Sequence, residues 1–169
     1  MATDKQLGCR IAVLTVSDTR REDNDHSGQA LINGLQGAGH TLAAREIVTD
    51  DLYKVRAVLS GWIADAAVHA ILVSGGTGFS SRDVTPEAVR PLLDKTIEGF
   101  GEMFRALSIA EVKSSTIQSR ALAGMANRTV IFCMPGSTSA CELAWKEIIE
   151  PQLDSRNKPC NFVSVIQAD

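Results

Sequence analysis

The sequence contains no run of lysine or arginine and no long apolar segment. Its 17 basic and 20 acidic side chains give a formal net charge of -3. Binding along a nucleic-acid backbone needs a dense basic surface, and crossing a bilayer needs about 20 apolar residues in succession. We therefore expect neither nucleic acid nor a membrane as a partner. The first residues also lack the apolar stretch of a secretory signal, which favours a cytoplasmic location.

Cysteine is also scarce, and its spacing suggests no metal or redox chemistry. The four cysteines are Cys9, Cys133, Cys141 and Cys160. They form no CxxC pair and no set of zinc ligands. Cys133 lies in an apolar run and Cys141 in a helical pattern, so we predict that they are small buried hydrophobic residues.

The histidines belong to no metal motif either. They are His26, His40 and His69, and we predict that each is structural or faces solvent. A chain of 169 residues can bury a substantial core without disulfides or metals. With no linker or repeat along the chain, we predict one domain covering residues 1–169.

Three apolar runs predict buried strands. They cover residues 11–16, 70–73 and 130–134, and their lack of alternation suits strands that are covered on both faces. Residues 41–48 predict a weaker strand nearer an edge, because two charged residues interrupt it. Helical patterns separate these strands, so we predict an α/β fold, a three-layer αβα sandwich with a mostly parallel central sheet.

The helix boundaries are predicted from capping residues. Thr85 followed by Pro86 predicts a cap and a first helical residue, and Ser137 or Ser139 can cap the last long helix. A short helix is predicted to begin in residues 99–104, and residues 114–119 are expected to be extended.

Polar or glycine-rich residues follow all four predicted strands. These segments are Thr15–Asp18, Val48–Asp51, Ser74–Gly78 and Pro135–Ser137. Ligands of open parallel sheets bind beyond the carboxyl ends of the strands. We therefore expect the four segments to converge on one crevice.

The Gly75-Gly76-Thr77-Gly78 turn is the clearest candidate for an anion site. Three glycines remove side chains, so that successive backbone N–H groups can point toward one phosphate. A tight corner without a ligand explains the same residues equally well. The turn is not a P-loop, because Phe79-Ser80-Ser81 replaces the Gly-Lys-Ser/Thr ending. Ser81 also stands where a dinucleotide fingerprint requires glycine.

Two carboxylates accompany this turn. Asp83 lies just before a predicted helix, and Asp50 follows the second strand. Each can hold Mg²⁺ together with substrate phosphates, and Asp83 can instead bind a polar ring. Each can equally be a helix-capping carboxylate.

Further polar groups lie at the same strand ends. The Pro135-Gly136-Ser137 turn precedes a helix and offers a second anion site. Ser17 and Asp18 add a hydroxyl and a carboxylate or form an ordinary turn. Arg82 is a phosphate ligand or an exposed loop residue.

Taken in order, these motifs resemble the MoaB/MogA family of molybdenum cofactor biosynthesis proteins. The motifs are Thr15–Asp18, Ser74–Gly78, Arg82–Glu87 and Met134–Ser137. The segments Glu98–Arg105, Gln118–Ala121 and Pro159–Phe162 are similar to the MoaB branch in particular. The resemblance covers roughly residues 9 to 163, nearly the whole chain.

The resemblance implies a cytoplasmic homotrimer or hexamer that binds molybdopterin, with other molybdenum cofactor biosynthesis proteins as possible partners. MogA-type relatives are adenylyltransferases (nucleotidyltransferases), which transfer an adenylyl group from Mg-ATP to the molybdopterin phosphate and release pyrophosphate. Asp50 and Asp83 match the two acidic positions required for that transfer. The remaining matching positions would bind the substrate, and they are Ser17, Gly75, Gly76, Thr77, Gly78, Pro135, Gly136 and Ser137.

The chain departs from the MogA-type pattern in one place. The last parallel strand ends in Pro135-Gly136-Ser137-Thr138, as in MoaB, whereas the MogA-type pattern has a proline two residues after the glycine. A molybdopterin carrier or scaffold without turnover is therefore the alternative to an adenylyltransferase.

Overall fold

Six strands form one sheet in the computed structural model, which describes residues 5–167. The strands are β1 (Arg10–Val16), β2 (Thr41–Val48), β3 (Ala70–Ser74), β4 (Lys95–Thr96), β5 (Leu122–Ala126) and β6 (Thr129–Met134). Their order across the sheet is β2-β1-β3-β6-β5-β4. β2, β1, β3 and β6 run parallel, whereas β5 and β4 each run antiparallel to the preceding strand in that order. The predicted α/β class with a mostly parallel sheet is confirmed.

Helices cover both faces of this sheet. They are α1 (His26–Gly37), α2 (Leu52–Ala64), α3 (Thr85–Val89), α4 (Glu98–Val112), α5 (Thr138–Ala144), α6 (Glu150–Leu153) and α7 (Val163–Ile166). A 3₁₀ turn extends α3 over Arg90–Leu92, another follows α4 over Lys113–Gln118, and a π-helical turn joins α5 to α6. None of the helices within residues 5–167 is long and apolar enough to cross a membrane.

Alternate residues of each central strand face two separate hydrophobic cores. In β1, Ile11 and Val13 belong to the core beneath α1, α4 and α5. Ala12 and Leu14 belong to the core beneath α2 and α3. Because both faces of the strand are buried, every residue from Ile11 to Val16 is excluded from solvent, which explains the continuous apolar run and confirms the three layers.

The two antiparallel strands were not predicted. β5 and β4 fall in the part of the sequence without a clear apolar run, and residues 114–119 were expected to be extended. That expectation is wrong, because Lys113–Gln118 forms a 3₁₀ turn after α4. The short helix expected at residues 99–104 begins where predicted and continues as the 15-residue α4.

The predicted role of Thr85 as a helix cap is also wrong. Thr85 is the first residue of α3, and Val84 at the cap position makes no side-chain capping bond. The Thr85 hydroxyl instead donates to the carbonyl oxygen of Gly75 at 2.8 Å. Ser137 does cap α5, accepting a hydrogen bond from the amide of Ala140.

Candidate functional site

The ends of the parallel strands lie together at one edge of the sheet, but the residues that follow them line two cavities and not the single crevice predicted. A Cβ atom placed on Gly75 would overlap the carbonyl oxygen of Val16, the last residue of β1, and one on Gly136 would lie 3.2 Å from the Cα of Gly75. The loops after β1, β3 and β6 are therefore in direct backbone contact. Because the chain passes from β1 outward to β2 and then back to β3, this contact lies at a topological switch point of the sheet, where ligands of such folds bind.

The protein itself uses part of the hydrogen-bonding capacity of the glycine turn. Gly75 and Gly76 adopt φ angles of 98° and 66°, which favour glycine. The Gly75 amide donates to the carbonyl of Met134, and the Gly78 amide donates to the Asp83 carboxylate. The idea that the three glycine amides share one anion is thus wrong for two of them. Among residues 5–167 no partner is found for the amides of Gly76 and Thr77, which can serve a ligand.

A cavity of about 310 Å³ opens beside this turn. It lies between the glycine turn, the C-terminal half of α4 with its 3₁₀ turn, and the start of α5. Its lining combines an apolar floor with hydroxyl groups, and it consists of Gly76, Thr77, Gly78, Asp83, Phe104, Ser108, Glu111, Val112, Ser115, Thr116, Gln118, Ser119, Pro135, Gly136, Ser137, Ser139, Ala140 and Leu143. Seven of the predicted site residues line this cavity. Asp50, Ser17 and Gly75 do not.

Both predicted aspartates lie against the glycine turn. A Cβ atom on Gly76 would lie 3.3 Å from Oδ1 of Asp50, and one on Gly78 would lie 2.9 Å from Oδ2 of Asp83. Asp83 accepts a hydrogen bond from the amide of Ser80 at 2.9 Å. The structure therefore brings together two carboxylates that are 33 positions apart in the sequence.

The two carboxylates have different electrostatic environments. Burial, followed by the negative charges of Asp18 and Asp83, raises the pKa of Asp50. Burial acts in the same sense on Asp83, but hydrogen bonds from Ser80 and Gly78 outweigh it and lower the pKa of Asp83. A cation bound between these acids would remove the repulsion felt by Asp50.

Asp18 links the loop after β1 to the loops after β2 and β3. Its carboxylate accepts two hydrogen bonds from Arg82, at 2.8 and 2.9 Å, and one from the amide of Asp50 at 3.0 Å. Arg82, which the sequence left open as a phosphate ligand, is thus engaged in an ion pair. Its hydrogen bonds are the main cause that lowers the pKa of Asp18.

Ser17 lies in a second cavity. Its hydroxyl oxygen accepts hydrogen bonds from the amides of Thr19 and Arg20, which form the turn after β1. The cavity has a volume of about 450 Å³, and its lining includes Arg21 and Arg45. Ser17 therefore lines a different cavity from Asp83.

The cysteines and histidines have the structural roles predicted. Burial raises the pKa of the Cys141 thiol to about 12, and Cys133 is fully buried. His40 and His69 accept hydrogen bonds through Nδ1 from the amides of Cys9 and Arg10, and His26 is exposed.

Arg120 is a site residue that sequence reasoning missed. Its guanidinium donates to the carbonyl of Gly78 at 2.8 Å and to that of Asp83 at 3.1 Å. Arg120 lies just before β5. Because β5 is antiparallel to β6, its first residues lie at the edge where the parallel strands end. An antiparallel strand recognised at residues 122–126 would have placed Arg120 at the site.

A magnesium ion fits this site only together with a substrate. Residues 5–167 contain no group of three or more acidic, histidine or cysteine side chains arranged to hold a metal. Magnesium typically binds one or two carboxylates and completes its coordination with phosphates and water. The unequal pair Asp50 and Asp83 suits that arrangement, since burial, followed by the negative charges of Asp18 and Asp83, raises the pKa of Asp50.

Known proteins share both the sequence and the fold of this chain. The model of a family described as "Probable molybdopterin binding domain" matches residues 12–155. Molybdenum cofactor biosynthesis protein B of Escherichia coli (strain K12) is 54% identical over 153 residues, which are 90% of each chain. A crystal structure of a molybdenum cofactor biosynthesis protein B has a TM-score of 0.84 and 44% identity, over 87% of this chain and 92% of the other.

A more distant structure has the same fold. The tungsten cofactor synthesizing protein MoaB from Pyrococcus furiosus has a TM-score of 0.75 and 35% identity, over 84% of this chain and 91% of the other. The predicted resemblance is confirmed. The chain belongs to the molybdenum cofactor biosynthesis family that is defined by this molybdopterin-binding domain.

Proposed function

We propose that this protein acts in molybdenum cofactor biosynthesis, binding molybdopterin and transferring an adenylyl group from Mg-ATP to its terminal phosphate. The observation that carries the proposal is the placement of Asp50 and Asp83 against one glycine turn, beside Gly76 and Gly78 respectively. Such a turn with two carboxylates suits a reaction between two phosphate groups, because catalysis of phosphate chemistry rests mainly on positioning and on charge neutralisation.

The 310 Å³ cavity supports the choice of molybdopterin as the substrate. Phe104, Leu143 and Ala140 provide an apolar surface for a ring, and serine and threonine hydroxyls provide partners for its polar edge. The mix of an apolar wall and a few polar groups is typical of small-molecule sites. A phosphate at the Gly76 and Thr77 amides would lie at the end of the cavity nearest the aspartates.

The reaction would form one P–O bond and break another. An oxygen of the molybdopterin phosphate attacks the α-phosphorus of ATP, and the bond from that phosphorus to the oxygen bridging to the β-phosphate breaks. Pyrophosphate leaves with the electron pair. Asp50 and Asp83 would hold Mg²⁺, which would supply positive charge to neutralise the phosphates. The backbone amides of the turn hold the attacking phosphate in place, and Asp18 holds Asp50 through its amide.

A pair of isosteric substitutions tests the aspartates. We expect Asp83→Asn to bind molybdopterin but to form adenylylated product at least about 100-fold more slowly, because the amide keeps the shape and loses the charge. Asp51→Asn is the matched control. Asp51 caps α2 through the amides of Tyr53 and Lys54, and asparagine caps helices equally well, so turnover should be unchanged.

The measurement is the formation of adenylylated molybdopterin and pyrophosphate with and without Mg²⁺. Normal turnover by the Asp83→Asn protein would remove Asp83 from the mechanism. Equal losses in the Asp83→Asn and Asp51→Asn proteins would point to a general loss of structure.

A molybdopterin carrier without turnover is the second candidate. It is favoured by the lining of the cavity, which includes Asp83 but neither Asp50 nor any lysine or arginine. A carrier needs only this cavity, whereas an enzyme also needs Asp50. Tight molybdopterin binding by the wild-type protein, with no product in the presence of Mg-ATP, would establish the carrier.

We further propose a cytoplasmic homotrimer or hexamer that works with other molybdenum cofactor biosynthesis proteins. Exposed apolar side chains on α4 and its 3₁₀ turn, among them Met103, Ile109 and Ile117, support association, since such side chains are commonly covered in oligomers. Light scattering across a concentration series tests this, and a monomer at every concentration would contradict it.

A further inference from the structure

We propose that Arg120 is a positioning residue, which fixes the turn from Gly78 to Asp83 and thereby sets the orientation of the Asp83 carboxylate. Its effect on turnover rests on the proposed adenylyl transfer. Its effect on the turn does not, because the contacts of Arg120 are all within the protein.

Arg120 contacts the β3–α3 connection at three points and α3 itself at a fourth. Its backbone amide donates to the carbonyl of Thr77 at 3.1 Å. Its Nε donates to the carbonyl of Gly78 at 2.8 Å, and its Nη2 donates to the carbonyl of Asp83 at 3.1 Å. Its Nη1 forms an ion pair with the carboxylate of Glu87 in α3. One residue thus joins the glycine turn, the acidic residue and the following helix.

These contacts complement those of Asp83 itself. The Asp83 carboxylate accepts hydrogen bonds from the amides of Gly78 and Ser80. Arg120 binds the carbonyls of Gly78 and Asp83, the two residues at the ends of the same turn. The Asp83 carboxylate holds the turn through its backbone amides, and the Arg120 guanidinium holds it through its carbonyl oxygens. Loss of Arg120 therefore leaves the backbone of Asp83 free to move.

Arg120 is unsuited to a direct role on a substrate phosphate. Each of its three guanidinium nitrogens already donates to a protein oxygen. The guanidinium carbon lies 5.1 Å from the centre of the Phe79 ring, in the range of a cation–π contact. Arg120 does not line the 310 Å³ cavity. The guanidinium of Arg120 is thus fully engaged with protein groups, and Arg120 affects turnover only by holding Asp83 in position.

Arg56, in α2, provides a matched control because it contacts the same helix, α3. Its Nη2 donates to the carbonyl of Glu87 at 2.8 Å, and its Nε donates to the carbonyl of Ala88 at 3.2 Å. Its guanidinium carbon lies 5.7 Å from the ring of Tyr53. Arg56 therefore makes the same kinds of contact as Arg120, but to α3 from the side of α2 and away from the turn.

The test compares Arg120→Ala, Arg120→Lys and Arg56→Ala. We expect Arg120→Ala to lower kcat about 100-fold, the size of effect produced by a displacement of about 1 Å at a reacting group, with KM for molybdopterin within threefold of the wild type. Lysine keeps the charge but lacks the planar guanidinium whose separate nitrogens reach the two carbonyls, so Arg120→Lys should stay at least tenfold below the wild type. Arg56→Ala should keep kcat within twofold.

Hydrogen exchange of the Ser80 amide provides the readout that does not need turnover. This amide donates to Asp83, so its exchange should become at least tenfold faster in Arg120→Ala and Arg120→Lys and remain unchanged in Arg56→Ala. A wild-type protein without adenylylation would refute the proposed function, and the Ser80 exchange rate would still decide the role of Arg120. Unchanged exchange in both Arg120 variants, full recovery of kcat by lysine, or an equal loss in Arg56→Ala would each overturn the proposal.

Discussion

Replacing Gly75 by alanine tests the contact between the β3 loop and the end of β1. Gly75 has a φ of 98°, and a Cβ atom there would overlap the carbonyl oxygen of Val16. That oxygen belongs to the last residue of β1, a strand paired on both sides, so it cannot move away at low cost. Gly39 supplies the control, because it has a φ of 83° and open space at the Cβ position.

The two substitutions share one cost and differ in another. A left-handed backbone costs a residue with a side chain about 1–2 kcal/mol, and the reduced freedom of the unfolded chain returns about 0.4–1 kcal/mol. Gly39→Ala should therefore destabilise by about 0–1.5 kcal/mol. Gly75→Ala carries the same balance plus about 1–3 kcal/mol for forcing atoms into filled space. The difference between the variants, about 1–3 kcal/mol, measures the contact alone.

Urea unfolding at fixed pH is the assay, with the midpoint and slope determined for the wild type and both variants. For a chain of this size each 1 kcal/mol lowers Tm by about 2–4 °C, so a thermal scan gives a second reading. The Gly75→Ala protein should also bind molybdopterin more weakly, because the turn must shift to fit the methyl group. Equal stability of the two variants would refute the close approach of the β3 loop to β1.

Two further predictions concern buried polar groups outside the site. Burial lowers the pKa of His40, so the unfolded chain binds more protons than the native one below about pH 6.5. Stability should be full above that pH and fall as the pH drops, and His40→Gln should flatten this slope in urea unfolding. Asp25 is buried and accepts hydrogen bonds from Thr15 and Arg45. Asp25→Asn should cost about 3 kcal/mol, the lower end of the range for a broken buried pair because Arg45 keeps some exposure, and a loss under 1 kcal/mol would contradict this.

The parallel half of the sheet could be predicted because burial of a strand on both faces produces a continuous apolar run in the sequence. β1, β3 and β6 each contain a nearly continuous apolar run, and each lies between two hydrophobic cores. β2 is the edge strand, which agrees with its mixed sequence.

The antiparallel half could not be predicted for a packing reason. β5 reads Leu-Ala-Gly-Met-Ala, with small residues that look unlike a strand. Gly124 is required there, because a Cβ atom would lie 2.7 Å from the carbonyl oxygen of Lys95 and would also collide with Leu93. The adjacent segment that contains Leu93 and Lys95 requires glycine at this position. A pattern within β5 itself does not reveal that this segment packs against it. β4 has two residues and produces no pattern at all.

For the candidate site, too, the residues at the ends of the parallel strands could be predicted, whereas contacts between loops could not. Asp50 and Asp83 follow the parallel strand ends, so the rule of the carboxyl edge was enough to bring them together. Ser17 follows β1 equally, but it lines a different cavity from Asp83, and its neighbour Asp18 is paired with Arg82. Side-chain pairing between loops decides such details, and the sequence contains no spacing that encodes it.

The reversal of β5 also explains why the cavity lies to one side of the switch point. The loops after β1 and β3 meet so closely that Gly75 has no room for a side chain, which leaves no space for a ring between them. On the other side of β3, the chain passes from β4 through α4 and its 3₁₀ turn, and β5 then begins at the edge of the sheet where the parallel strands end. The 3₁₀ turn and Arg120 therefore lie beside the glycine turn. The parallel half supplies the carboxylates and the wall formed by the start of α5, and the antiparallel half supplies the wall formed by α4 with its 3₁₀ turn, together with Arg120. The molybdopterin proposed above would therefore place its phosphate at the junction of the two halves, where Gly76 lies near Asp50 and also lines the cavity.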